Sequence, residues 1–392
     1  MSILLTGGDG YLGWPAALRI ATRTDDRVVL VDNFARREWV EEVGSVSAVP
    51  IASIYERIEA AEEVHGITNL SFVEGDLTEK AFVDQLLEVH EPDTIVHTAA
   101  QPSAPYSQIN GERANYTQHN NLQATRNLLW GLEEHDMTDT HFIETTTTGV
   151  YGAPEFPIPE GGSTMENQGE EDEVPFPAMA GSWYHLTKSH DAANMRLAHK
   201  QFDIPISDVR TAITYGTEVE ETRADDRLKT RFDFDYYFGV VAHRFAAQAV
   251  AGYPVTVYGK GEQRKPFISL EDAVEGLAQL ATMDPDERPS EHVVYNQVTR
   301  AISIVEMANT IADVGSEHGL DVDVEHFENP RDEDETHKME IENDRYADLI
   351  DGQDQNFEEG IEDVFASLTS YADRIEARED RFLPGVLESD EE

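Results

Sequence analysis

Short apolar runs bounded by polar or turn-forming residues recur along the first half of the chain. They are SILLT (2–6), DRVVLVDN (26–33), NLSFVEGD (69–76), DTIVHTAA (93–100), THFIETTTT (140–148) and ISDVRTAITYG (206–216). Each has the length of a strand, and several are apolar nearly throughout, as strands covered on both faces must be. Between most of them lie stretches with apolar residues three or four apart, such as PAALRIAT after the first, and these predict helices. Strands alternating with helices fold as a parallel, doubly wound sheet, so the predicted class is α/β. No internal repeat interrupts the alternation.

At 392 residues the chain exceeds the usual size of one core, which predicts two lobes with a cleft. The alternation places residues 1–215 in the first lobe, joined by return segments around 234–275, and 216–385 mainly in a second. EGGSTMENQGEEDEVPFPA (160–178) reads as a mobile surface loop and ETRADDRLKTR (221–231) as another; LESDEE closes an acidic tail, 386–392. FDYYFGVVAHRFAAQAV (234–250) is aromatic and amphipathic, the pattern of a helix packing one lobe on the other, with its loop end free to meet a planar ligand.

Charge narrows the classes of partner. With 29 Lys and Arg, only seven of them Lys, against 78 Asp and Glu, the formal net charge is −49, which would repel nucleic acid and acidic membrane surfaces. Apolar residues still make up 40% of the chain, enough for a packed core. The balance resembles a halophile's surface, because molar salt shortens the Debye length to about 3 Å and removes most self-repulsion. There is no run of about 18 apolar residues and no basic, apolar leader, so a cytoplasmic protein is expected. Cysteine is absent and no HExxH spacing occurs, so neither thiolate chemistry nor a metal site is expected.

LLTGGDGYLGW (4–14) places Gly7, Gly10 and Gly13 three apart between the first strand and the first helix. Glycines there let a backbone approach a pyrophosphate and a helix pack close on its strand, while the helix N-terminus supplies positive potential. Asp32 ends the second strand about 20 residues on, where a carboxylate accepts hydrogen bonds from ribose hydroxyls and disfavours a 2′-phosphate. The pair predicts a Rossmann site that prefers NAD over NADP, although GxxGxxG differs from the commoner GxGxxG and Arg36 and Arg37 stand close enough to accept a 2′-phosphate.

In GSWYHLTKSHD (181–191), Tyr184 and Lys188 are four apart and share one helical face. A free phenol has a pKa of about 10, and a neighbouring ammonium lowers it, which makes Tyr184 a candidate base for a hydroxyl proton. Thr147, at the end of the fifth strand, could hydrogen-bond the same substrate oxygen, since active-site groups gather at the carboxyl ends of parallel strands.

Gly7, Gly10, Gly13, Asp32, Asp76, Asn121, Thr147, Tyr184 and Lys188 together resemble the extended short-chain dehydrogenase/reductase family, the NAD-dependent nucleotide-sugar epimerases and dehydratases, from Met1 to about residue 385. The stretches GGDGYLGW, DNFARR, SAPYSQI, WYHLTKSHD, GYPVTVYGKGEQ, VYNQVTRAISI and ENPRDEDETHK are most similar to its UDP-sulfoquinovose synthase branch. The resemblance implies a smaller C-terminal α/β substrate-binding lobe, a homodimer, tightly bound NAD, and UDP-glucose with sulfite or a sulfite donor as substrates. It implies cofactor contacts from Tyr11, Leu12, Asn33, Arg36, Asp76, Leu77, Ala99, Gln101 and Asn121. Thr148, His185, Arg264, Lys265 and Arg331 are the implied sugar-nucleotide contacts, beside Thr147.

The implied chemistry is a redox cycle closed in one site. Tyr184 takes the 4-hydroxyl proton while C4 gives up hydride; water leaves across C5 and C6, sulfite adds at C6, and the hydride returns to C4. Departures from the family patterns bear on this scheme. Thr148 and Gly149 stand where 4,6-dehydratases carry an Asp-Glu pair, and within the branch Thr148 and Val150 replace a Met and a Glu, Pro102 an Arg, and Lys265 an Arg. His185 either faces the sugar as a donor or only packs. A UDP-sugar 4-epimerase, which needs only Thr147, Tyr184, Lys188 and a wide pocket, and a non-catalytic NAD-binding scaffold are the alternatives.

Overall fold

The computed structural model describes residues 1–176, 178–328, 338–351 and 356–384. Arg331 and the acidic tail 386–392 lie outside the described residues. From the N-terminus the chain runs through β1 (Ser2–Thr6), α1 (Gly13–Arg23), β2 (Arg27–Asp32), α2 (Ala35–Glu42), α3 (Ile54–His65), β3 (Leu70–Glu74), α4 (Lys80–His90), β4 (Thr94–His97), α5 (Gly111–Glu134) and β5 (His141–Thr147). A hairpin, β6 (Gly162–Asn167) and β7 (Glu170–Pro175), precedes α6 (Trp183–Phe202), β8 (Ile206–Thr211) and β9 (Ile213–Tyr215). Then come α7 (Val241–Val250), β10 (Val255–Tyr258), β11 (Arg264–Ser269), α8 (Leu270–Ala281), β12 (His292–Gln297), β13 (Arg300–Ser303), α9 (Ile304–Glu317), β14 (Val324–Phe327), α10 (Asp344–Leu349) and α11 (Phe357–Leu368).

Seven strands form one parallel sheet in the order β12-β8-β5-β4-β1-β2-β3, the reversal of direction at β1 and β4 being that of a doubly wound fold. Its apolar runs follow from burial on both faces. Leu4, Val29, Val31 and Ile95 pack with Leu87 and Leu128 on the side of α4 and α5. Their neighbours Ile3, Leu5, Val28, Leu30 and Val96 pack with Trp14, Leu18 and Leu277 on the side of α1 and α8. Every residue of β1 is buried, so neither face tolerates a charge without a partner. A further core, built around Phe232, Phe234, Phe245, Phe267, Ile311 and Phe365, lies in the second half of the chain.

Three local expectations are corrected. The seventh strand is HVVYNQ at 292–297, beyond the return segments at 234–275; its half-buried residues gave it a weaker apolar signature than the six read from sequence. The ISDVRTAITYG run splits, β8 staying in the main sheet while β9 joins β11 and β13. The segment 160–178 contains a two-stranded hairpin, whose Gln168 and Gly169 both take positive φ (57° and 84°), as a tight two-residue turn requires. Its strands are solvated on both faces, so no apolar alternation marked them.

Candidate active site

A cleft of about 1900 Å³ runs along the carboxyl ends of the parallel strands and is closed on the far side by Tyr236–Val241, Arg244, Thr256 and Lys265. Of the residues expected to meet a dinucleotide, Gly7, Gly10, Tyr11, Leu12, Gly13, Asp32, Asn33, Arg36, Asp76, Leu77 and Ala99 all line it.

The glycine turn works by close packing. Gly7 takes φ +78°, and its amide and that of Gly8 donate to Val31 O at 2.8 and 3.1 Å, while the Gly10 amide donates to Gly7 O at 3.0 Å. Those amides are therefore spent inside the turn, and what Gly7 and Gly10 contribute to a ligand is the absence of a side chain. Gly13 is the tightest position. It begins α1 instead of ending the turn, and a Cβ there would lie 2.1 Å from Gly7 O.

Asp32 closes this end of the cleft. Its two oxygens accept from the Asp9 and Phe34 amides at 2.9 and 2.7 Å, and burial pushes its pKa up to about 6 despite those bonds. The arginines beside it are engaged elsewhere. Arg36 pairs with Asp233 at 2.6 Å and lies 4.1 Å from the centre of the Phe238 ring. Arg37 forks onto the buried Asp9 through two bonds of 2.7 Å, and the fully buried Arg57 reaches Asp9 at 3.2 Å. Asp9 thus holds Arg37 and Arg57, and Asp233 holds Arg36 and Arg231, which ties these guanidinium groups to carboxylates of the fold without cancelling all of their charge. Neither acid was singled out from sequence, because the spacing between partners, 28 and 197 residues, carries no local signal.

Gln101 and Asn121 do not line the cleft. Both are buried and bond to each other, Asn121 Oδ1 accepting from the Gln101 amide at 2.8 Å and Asn121 Nδ2 donating to Thr187 Oγ1 at 3.0 Å. Their position fastens the loop after β4 to α5 and α6, in place of the direct cofactor contact expected.

At the middle of the cleft, Ser182 caps α6 by accepting from the His185 amide at 3.1 Å, and the Tyr184 amide donates to Ser107 Oγ at 3.1 Å. These bonds fix the first turn, and Tyr184 and Lys188 line the same cleft as Thr147 and Thr148. The 3₁₀ turn after β5 is held by Thr147 Oγ1, which accepts from the Gly149 amide at 3.1 Å. His185 lines the cleft beside Tyr184, its Nδ1 3.1 Å from Ser182 Oγ, and packs so closely on Gly149 that a Cβ there would sit 2.4 Å from Nε2.

The charge environment of the phenol differs from expectation. Burial pushes Tyr184 above its ordinary value; Lys188 pulls it down, but Asp191 and Glu144 push it up, and the balance is upward. Burial likewise disfavours the Lys188 ammonium, and Glu144 and Asp191 outweigh that burial and raise its pKa. Lys188 Nζ lies 3.0 Å from Glu144 Oε1 and 3.8 Å from Asp191 Oδ2, and both carboxyls are 0% exposed. A Glu in the otherwise apolar and threonine-rich FIETTTT was the one visible hint of this arrangement.

At the distal end Lys265 lines the cleft together with the buried Gln263, whereas Arg264 turns away to donate to Ala301 O and to face Glu306 at 3.7 Å. Adjacent residues of β11 point to opposite faces, so only one of the two could reach the cleft.

The profile of the NAD dependent epimerase/dehydratase family matches residues 3–296. The chain belongs to that family. It is similar to the UDP-sulfoquinovose synthase of Sulfolobus acidocaldarius, at 37% identity over 98% of this chain and 96% of the relative. It is similar also to the chloroplastic UDP-sulfoquinovose synthase of Spinacia oleracea, at 35% identity over 98% of this chain and 78% of that one. Among solved structures, a UDP-glucuronic acid 4-epimerase from Bacillus cereus in complex with UDP-glucuronic acid and NAD aligns with a TM-score of 0.68 and 20% identity, over 94% of this chain and 99% of its own. This epimerase/dehydratase is accordingly an NAD-dependent enzyme, and its residues fit the cofactor. Gly7 and Gly13 leave a turn that any Cβ would obstruct, and Asp32 closes the cleft beyond it with no unpaired arginine among Arg36, Arg37 and Arg57.

Proposed function

We propose that the protein is a UDP-sulfoquinovose synthase, converting UDP-glucose and sulfite, or a sulfite donor, within one site that keeps its NAD. The observation that carries the reading is the gap in similarity. The two sulfoquinovose synthases share 35% and 37% identity over 98% of the chain, against 24% over 79% for the dTDP-L-rhamnose 4-epimerase of Burkholderia thailandensis.

In this mechanism Thr147 positions the sugar 4-oxygen and Tyr184 removes its proton, at the carboxyl end of β5 where the two side chains face one cleft. NAD, when bound, supplies the acceptor for the C4 hydride and returns it at the end of the cycle. Because the phenol is held above its ordinary value, Tyr184 must be brought to its ionised form by positive charge in the site. Lys188 and, more weakly, Arg36 already draw the phenol down without overcoming burial, Asp191 and Glu144, so its ionisation waits on a further shift of the site towards positive charge. Oxidation at C4 acidifies the C5 proton, so water can leave across C5 and C6 and sulfite can add at C6. In this scheme His185, which lines the cleft, takes the C5 proton and passes it to the departing C6 hydroxyl; bisulfite then bonds to C6 through sulfur while its proton returns to C5, with Thr148 lining the same cleft. Lys265 pairs with the diphosphate, and Arg36 braces the adenosine end through Asp233 and Phe238.

Residues 1–215 with α8 and β12 serve the cofactor, and the remainder up to 385 mainly the sugar nucleotide. A homodimer fits the exposed Trp130, Trp183 and Leu197 on α5 and α6, which are 49, 50 and 51% exposed. Among the described residues no helix is long and apolar enough to cross a membrane. The proposal places the enzyme in the cytoplasm, where the charge of −49 suits a salt-rich interior. The test is incubation with UDP-glucose with and without sulfite, read by mass spectrometry. A sulfonated nucleotide sugar formed only with sulfite supports the assignment; UDP-galactose in both arms would replace it with a 4-epimerase, and no conversion of bound NAD by any nucleotide sugar with a non-catalytic scaffold.

A further inference from the structure

Behind the cleft, Lys188 is the one cation within salt-bridge distance of Glu144 and Asp191 among the described residues. Glu144, from β5, and Asp191, one turn further along α6, have no exposed surface. Thr125 Oγ1 of α5 stands 3.4 Å from both Glu144 oxygens, and His97 of β4 contacts Thr125 at 3.3 Å while facing Thr6 Oγ1 at 2.7 Å. Burial holds His97 well below its ordinary pKa, so it adds no charge. Asp208 of β8 also acts on Glu144, but it is bound by Arg210 at 3.0 Å and by Thr146. His190 and Tyr184 also act on this cluster, and Arg36 acts on Tyr184. Neither oxygen of Asp191 receives a hydrogen bond of good geometry, and the side chains close enough to act on it as hydrogen-bond partners are Thr125 and Glu144 itself. Two buried carboxylates facing one ammonium leave one negative charge uncompensated, and a buried carboxyl pair relieves that by retaining a proton. A proton on Glu144 or Asp191 would also supply a donor between the two carboxyls.

We propose that Glu144 and Asp191 share a single proton and a single negative charge beneath Lys188, and that this dyad is a positioning element for Tyr184, acting through the ammonium. The dyad cancels one unit of the charge that Lys188 presents to the phenol. Tyr184 is thereby kept from ionising permanently, and its ionisation responds to what binds in the cleft. Only this consequence rests on the role of Tyr184 proposed above; the shared proton does not.

Infrared spectroscopy of the full chain with its NAD tests the dyad without any substrate. At neutral pH a protonated-carboxyl C=O band, sensitive to H/D exchange, is expected, and either Glu144→Gln or Asp191→Asn alone should abolish it, because each leaves one ionised carboxylate paired with Lys188. A band that survives either substitution, or that is absent from the parent, overturns the proposal. Phenolate absorbance, taken as the difference from the same protein carrying Tyr184→Phe, tests the coupling. Each single substitution should move the Tyr184 midpoint by a few tenths of a unit, and both together should lower it by about one unit or more, a non-additive pattern. Additive shifts, or none in the folded double variant, overturn it. Should the double variant fail to fold, the infrared result decides, and failure of both single variants to fold would assign the pair to stability alone and overturn the proposal. An absence of sulfonated product, with these spectra as expected, would count against the proposed function and leave the dyad standing.

Discussion

Replacing Gly13 by Ala tests whether close packing of α1 on β1 is what builds the cofactor turn. The added Cβ would lie 2.1 Å from Gly7 O and 3.0 Å from Thr98 Oγ1, and the first of these is a backbone atom that no rotamer change can move. An ordinary contact begins near 3.4 Å, so α1 must retreat by roughly 1 Å, and insertion of a methyl into such packing costs about 1–3 kcal/mol. Alanine is a better helix former than glycine by at most about 1 kcal/mol, so the clash outweighs the propensity. Gly111 provides the control, since it holds the same first position in α5 and a Cβ there meets nothing within 4 Å. Thermal unfolding and calorimetric titration with NAD would be run on both. Gly13→Ala should unfold several degrees earlier and bind NAD at least about tenfold more weakly, while Gly111→Ala should match or slightly exceed the parent. Equal stability and equal NAD affinity in the two variants would refute the packing argument.

Other outcomes follow from charge. Asp32 has a folded pKa of about 6, above its unfolded value, so its ionisation in the fold costs stability above that pH and the cost disappears as pH falls towards the unfolded value. Ribose hydroxyls need the carboxylate, so NAD affinity should fall below pH about 6 while apo stability gains from this group, and Asp32→Asn should flatten the affinity profile. With a net charge of −49, the unfolding temperature should rise steeply between 0.1 and 1 M KCl, where the Debye length shrinks from about 10 to about 3 Å; a flat response would remove the halophilic reading. Lys265→Ala should raise KM for the UDP-sugar about tenfold or more, whereas Arg264→Ala, whose guanidinium faces Ala301 and Glu306, should leave KM within about twofold.

Period and spacing carried the parts of this molecule that are local. Burial of β1 on both faces wrote itself as SILLT, and the helical face shared by Tyr184 and Lys188 as a spacing of four. The family resemblance added what spacing could not, since Thr147 and Lys265 reach the same cleft from positions 118 residues apart. What stayed hidden depends on pairing across the fold. Asp233 engages Arg36, Asp9 engages Arg37 and Arg57, and Glu144 lies under Lys188; no sequence window contains both partners. The hairpin at 162–175 escaped because its strands bury neither face, and Gln101 and Asn121 were read as ligands because a buried amide pair and a cofactor contact look alike in sequence.

Absorbance of reduced nicotinamide in the first turnover reads the central claim, that Tyr184 draws the proton that releases hydride from the sugar. Protein carrying its NAD, mixed rapidly with UDP-glucose in high salt, should show a transient reduced band, and Tyr184→Phe should retain NAD yet show the band at least about a hundredfold more slowly. A substituted protein that reduces its nicotinamide at the parent rate would contradict the account.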